Sequence, residues 1–243
     1  MISFKSYVAE SFSIDGDELV IDYEKKSDTN NLRFGKGKLT PYVKKLEGVD
    51  VQVFSLYTFN DQSGTKIIKK LKANDISNDT YYQFLQRSAV FASRLIHDLK
   101  IDLIVLPESS SPLAANFARA IMGINPGIKM APKNFIKARD VNDIKILYDH
   151  PKLTPAIIKT LESSLRRAER EGVLKMKWIL PVNRKFLENV FSYDGNADIF
   201  EYRNVLIVDD VVTSGSSILP LYLAVEEAGA SNTYCLTLFK ATT

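Results

Sequence analysis

The stretch NVLIVDDVVTSGSSI, residues 204–218, decides how this chain is read. Four apolar residues, Val205 to Val208, form a short continuous run of the kind buried on both faces of a parallel sheet. Asp209 and Asp210 follow where such a strand leaves the sheet, and VVTSGSS leads into an apolar segment expected to be helical over 214–230. A capped helix after a buried strand would explain the hydroxyls, but not the two adjacent acids and the glycine together. The pattern is that of an anion site. Gly215 permits a tight backbone. The N–H groups of 213–217 would point out of a helix N-terminus, where unpaired donors and the macrodipole favour negative charge. Thr213, Ser214, Ser216 and Ser217 add hydroxyl donors. Two carboxylates beside that cradle suit the hydroxyls of a sugar and raise the local affinity for Mg2+.

Working outward, strand-like and helix-like segments alternate. SNTYCLTLF (231–239) reads as a closing strand and IDLIVLP (101–107) as a second buried one. A helix is expected from a cap at Asn78 or Asp79 to about Lys100, with Phe84, Ala92, Leu95, Ile96 and Leu99 at helical spacing. SPLAANFARAIMG (111–123) opens on Ser and Pro and closes on Gly, and Thr154 with Pro155 starts a helix reaching about Glu171. ELVIDY (18–23), VQVFSLYTF (51–59) and KMKWILP (175–181) read as strands, NFIKA and DIKILYD as short ones, and 25–41 as loop. The alternation predicts an α/β protein with a mostly parallel, doubly wound sheet and right-handed crossovers. Ligands then sit at the carboxyl ends of strands.

A second strand-to-helix turn fits that rule. In IVLPESSSPLAANFA (104–118), Glu108 and Ser109, Ser110 and Ser111 place hydroxyls and amides at another helix N-terminus.

VLIVDDVVTSGSS resembles the PRPP-binding motif of the type I phosphoribosyltransferases, PRPP being phosphoribosyl pyrophosphate. The match has no gap. It implies that Asp209 and Asp210 hold the ribose diol and that Val211, Val212, Thr213, Ser214, Gly215, Ser216 and Ser217 grip the 5′-phosphate. The turn at Glu108 to Ser111 is similar to the pyrophosphate loop of the same family, with Ser where Gly is common. Residues 134–143, NFIKARDVND, fall where the family has a mobile catalytic loop, which would give Lys137 and Arg139 the task of neutralising the departing pyrophosphate. YTFNDQSGTKIIKKLK (57–72) and RKFLENVFSY (184–193) resemble segments of the ComF-type, competence-related members. Many of those begin with a cysteine zinc module, which a chain with one Cys lacks.

The resemblance implies a phosphoribosyl domain over 51–243, with 1–50 as an extension or hood. Mg2+ is expected as cofactor, held mainly through the ligand and by Asp209 and Asp210. PRPP and a base or nucleotide are the implied partners, and a homodimer is left open. Two functions remain: transfer of a phosphoribosyl group to a base, or PRPP sensing without transfer. A PRPP-synthetase-like activity would need an ATP site; GKGKLT (35–40) lacks the spacing of a phosphate loop, and an ATP site of another kind stays open.

Bulk properties agree. The 243 residues are 45% hydrophobic and 25% charged, as in ordinary globular proteins. A net charge of +3 gives no indication of nucleic acid, and the basic run at 164–171 is interleaved with Glu169 and Glu171, as on a solvated helix. The apolar runs are too short for a membrane span, and the first residues lack a secretory pattern, so a cytoplasmic protein is expected. Cys235 reads as a buried strand residue; His97 and His150 have no catalytic partner in the pattern.

Overall fold

The computed structural model describes residues 11–15, 18–22, 33–34, 42–46, 49–59, 62–108, 111–137, 141–172, 174, 178–212 and 218–241. In chain order, β1 (Ser11–Asp15) and β2 (Glu18–Asp22) pair antiparallel. β3 (Arg33–Phe34) and β4 (Tyr42–Leu46) both pair antiparallel with β5 (Val49–Phe59). Next come α1 (Gln62–Ala73), α2 (Asn78–Asp98), β6 (Leu103–Val105), α3 (Leu113–Ile124) and β7 (Lys129–Met130). β8 (Phe135–Lys137), β9 (Lys145–Ile146), α4 (Pro155–Glu171), β10 (Leu187–Glu188) and β11 (Phe191–Tyr193) fill the middle. β12 (Asn204–Val212), α5 (Ile218–Glu227) and β13 (Asn232–Ala241) close the chain.

The main sheet runs β3-β5-β13-β12-β6-β7, with β4 also on β5. Every pairing from β5 through β13, β12 and β6 to β7 is parallel. The α/β class and the mostly parallel sheet are therefore as the alternation predicts. β12 lies inside the sheet, with Val205, Leu206 and Ile207 opposite Leu103, Ile104 and Val105 on one side and Thr233, Tyr234 and Cys235 on the other.

Helices cover both faces. Leu206, Val208, Leu236, Leu238, Phe54 and Ile104 share one core with residues of α1, α2 and α3. Val205, Ile207, Cys235, Val53 and Val105 share a second core with Ile218, Leu221 and Val225 of α5, which extends to Leu161 and Ala168 of α4. A strand covered on both sides has no polar face to show, so its sequence reads as a continuous apolar run.

Several boundaries differ from expectation. Ser77, not Asn78 or Asp79, caps α2: its backbone is extended, and its hydroxyl accepts the Thr80 N–H at 3.2 Å. α3 runs past Gly123 to Ile124, and its start is held by Ser111, whose hydroxyl accepts the Leu113 N–H at 3.2 Å. Of the strand expected over 175–181, residues 178–181 form none; Pro181, which has no N–H for a ladder, opens a 3-10 turn to Phe186 instead. Residues 33–34 pair as a strand inside a segment read as loop. α1 was not anticipated at all. The ends of α4 are as read, with the Thr154 hydroxyl accepting from Ile157 N–H and Gly172 closing the helix at φ 66°.

Leu206 is fully buried in the central strand. Leu206→Ala should lower unfolding free energy in urea by about 2–5 kcal/mol, and a loss under about 1 kcal/mol would contradict this packing.

Candidate functional site

Because β6 and β12 are parallel neighbours, both strands run toward the same edge of the sheet. The two segments singled out in the sequence, far apart along the chain, are thereby brought side by side. The start of β8 joins them. Phe135 N–H donates to Leu106 O at 2.8 Å, Glu108 N–H donates back to Phe135 O, and Pro107 bridges to Phe135.

β12 carries both aspartates within the strand rather than after it. Alternation along a strand sends consecutive side chains to opposite faces. Asp210 turns to the face covered by α1: its Oδ1 lies 2.8 Å from Lys72 Nζ. Asp209 belongs to the other face, that of Ile207 and Cys235, where its charge is felt by the Cys235 thiol. The two acids stay coupled through the backbone, since the Asp210 N–H donates to Asp209 Oδ1 at 2.8 Å. Beyond Asp210 the alternation slips by one residue, with Val211 packing on the α1 face and Val212 on the α5 face.

Lys72 was missing from the sequence reading. It stands in the last turn of α1, one residue past buried Leu71 and four past buried Ile68. That spacing puts it beside the buried stripe of the helix, so its aliphatic stem can lie along the core while the ammonium reaches Asp210. A helix C-terminus also favours a cation. The same residue touches the other turn: Ser111 Oγ donates to Lys72 O at 3.1 Å. One residue of α1 therefore contacts both β12 and the turn after β6.

Asp210 is 4% exposed, and its Oδ2 is buried with no hydrogen-bond partner among the described residues. A buried carboxylate oxygen left without a donor is costly, which marks this atom as one that another group should meet. On the neighbouring strands Thr237 stands opposite Asp209 and Ser55 opposite Thr237, and their hydroxyls are 2.7 Å apart. This polar row across three strands is a further feature that alternation alone did not reveal.

The other expected site residues are placed as follows. Val211 and Val212 end β12. Thr213, Ser214, Gly215, Ser216 and Ser217 lie outside the described residues, as do Ser109, Ser110 and Arg139. Glu108 is exposed at the mouth of β6, and the Ser111 hydroxyl is engaged with Lys72 and Leu113. Lys137 is the last residue of β8, where it pairs with Phe191 of β11, so the short strand read at NFIKA is present and Lys137 belongs to it. His150 packs edge-on against Phe186 at 4.8 Å and accepts the Lys152 N–H, while His97 ends α2 beside Asp98. Neither is arranged for catalysis by these contacts. No group of three or more His, Cys, Asp or Glu is placed to hold a metal ion among the described residues, and none of their helices is long and apolar enough to cross a membrane.

No protein-family model and no curated protein matches the sequence. Among solved structures, the chain is similar to the purine phosphoribosyltransferase from Pyrococcus horikoshii Ot3, at 14% identity and a TM-score of 0.36 over 65% of this chain and 83% of that one. It is also similar to a glutamic acid mutant from an analysis of an invariant aspartic acid in HPRTs, at 13% identity and a TM-score of 0.35 over 71% of this chain and 68% of that one. Likeness at this level leaves the site to be read from the chain's own residues.

Burial pushes the Cys235 thiol well above its ordinary range, and the nearby Asp209 charge pushes it further. The sign follows from linkage. A thiol whose folded pKa is raised gives its full stabilising effect below the unfolded value and loses it as pH rises through the window above. At pH 8 native Cys235 should thus react with an aromatic disulfide at least about a hundredfold more slowly than the urea-unfolded chain. Equal rates in the two states would contradict its burial in β13 beside β12.

Proposed function

We propose that this protein binds PRPP where β6 and β12 leave the sheet and transfers its 5-phosphoribosyl group to a nitrogenous base. The observation that carries the reading is the side-by-side exit of those two strands, with Asp209 and Asp210 at one mouth and Glu108 at the other. The separation of roles follows from the two turns. Residues 211–217 would grip the 5′-phosphate through amides and hydroxyls, as the sequence of that turn suits. Asp209 and Asp210 would accept the ribose hydroxyls, and the turn from Glu108 through Ser109 and Ser110 to Ser111 would face the pyrophosphate. Lys137 and Arg139 are assigned to neutralising its departing charge. Within the superfamily, the segments at 57–72 and 184–193 favour a ComF-type member.

In the reaction, the lone pair of a base nitrogen forms a bond to the anomeric carbon. The bond from that carbon to pyrophosphate breaks, and its electrons leave with the pyrophosphate oxygen. The nitrogen then loses its proton to water or to a pyrophosphate oxygen. Positive charge builds on the ring at the transition state, so the chain contributes orientation and charge placement rather than a covalent partner.

Mg2+ fits the donors present. It is commonly held by one or two carboxylates with substrate phosphates and waters, and here it would be held mainly through the ligand, with the Asp209 and Asp210 carboxylates beside it. When bound it would offset charge on the pyrophosphate.

PRPP with Mg2+ should raise the melting temperature of the wild-type protein, and Asp209→Asn with Asp210→Asn together should abolish the rise. At PRPP a hundredfold above Kd the stabilisation is about 2.7 kcal/mol. An unchanged response in the double variant would remove the aspartates from the site. Pyrophosphate release that depends on one member of a nucleobase panel is the expected sign of transfer; release with none would favour a PRPP-binding protein without transferase activity.

A further inference from the structure

We infer that Lys72 is the positioning residue by which the site selects a ribose over a deoxysugar: it fixes one oxygen of Asp210 and reserves the other for a sugar hydroxyl. The inference rests on the ribose phosphate reading and goes beyond it, since no residue of the motif at 204–218 lies in α1.

Three observations carry it. First, the ion pair is lopsided. The Asp210 side chain is 5% exposed and the Lys72 side chain 38%, and the 2.8 Å contact uses Oδ1 alone. Second, Oδ2 is buried and meets no donor among the described residues, although buried acceptors are nearly always satisfied. A purely structural ion pair at this depth would be expected to satisfy both oxygens. A ligand hydroxyl is a donor of the right kind for the second. Third, Lys72 is itself held. Its carbonyl accepts from Ser111 Oγ at 3.1 Å, and Leu71 and Ile68 anchor its helix in the core shared with Leu206 and Val208. The ammonium is thus delivered from a fixed helix end rather than from a free surface chain.

The consequence is a matter of specificity. With Oδ1 pinned, the carboxylate keeps one orientation, and a sugar lacking the matching hydroxyl leaves Oδ2 unsatisfied. Without Lys72 the carboxylate can turn, and the penalty for the missing hydroxyl falls. A site built to bond a hydroxyl rejects the analogue lacking it far more strongly than a merely apolar pocket does.

The test is calorimetric titration of the full chain with ribose 5-phosphate, 2-deoxyribose 5-phosphate and 3-deoxyribose 5-phosphate, without metal. Wild type should prefer ribose 5-phosphate over at least one deoxysugar by about tenfold or more. In Lys72→Met or Lys72→Gln that preference should shrink to within about threefold, while Lys72→Arg, which keeps the cation, should retain most of it. Ser111→Ala, which releases the Lys72 carbonyl, should lower the preference in the same direction and serves if the neutral variants do not fold. A neutral variant that keeps the full preference, or weakens all three sugars by one factor, would overturn the role of Lys72. So would an unchanged preference in Ser111→Ala should that variant have to serve. Equal binding of all three sugars by wild type would overturn the role while leaving ribose phosphate binding intact. Binding of none of the three would instead remove the ribose phosphate reading, and this inference with it.

Discussion

β12 is the constraint on which the rest depends. It is hydrogen-bonded on both edges, to β6 and to β13, and covered on both faces by helices. Such a strand tolerates a buried polar group only with a partner, and the two aspartates stand near its C-terminal end, Asp210 on Lys72. The same parallel pairing, with Val105 opposite Ile207, brings the end of β6 beside the part of β12 that leads into the aspartates. The position of the candidate site is therefore a consequence of strand order, and its chemistry a consequence of which residues end the strands.

Within that frame the adjacent acids are not equivalent. Pleating sends Asp209 toward the α5 face and Asp210 toward α1. Asp210 is the more deeply buried and has a fixed cation; Asp209 is half-buried and accepts a backbone N–H from its neighbour. The division suits two oxygen pairs that meet different parts of one ligand. It also ties the site to the core, because Lys72 sits on a helix whose inner face packs against β12 itself.

The sequence was legible where a segment's surroundings were uniform. Val205 to Val208 could be read as a doubly covered strand because burial on both faces leaves no polar position, and Thr154 and Pro155 mark the start of α4 by local chemistry alone. It was less legible where tertiary contact decides. Ile67, Ile68 and Leu71 carry a helical stripe, yet nothing in a lysine-rich helix marks Lys72 among its neighbours; only the fold places it on Asp210. The expected strand at 175–181 did not hold over 178–181 because an apolar run with Pro181 at its end gives no length from which periodicity can be judged. The opposite orientations of Asp209 and Asp210 follow from strand period, but only once the strand is known to run through them to Val212.

The central claim is that a ribose 5-phosphate lies across the mouths of β12 and β6. A crystal structure of the protein with ribose 5-phosphate tests it most directly. The account requires the phosphate within hydrogen-bond reach of the backbone amides of residues 213–217 and a ring hydroxyl within about 3 Å of an oxygen of Asp209 or Asp210. A sugar phosphate bound elsewhere on the chain, with these groups contacting only protein and water, would contradict it.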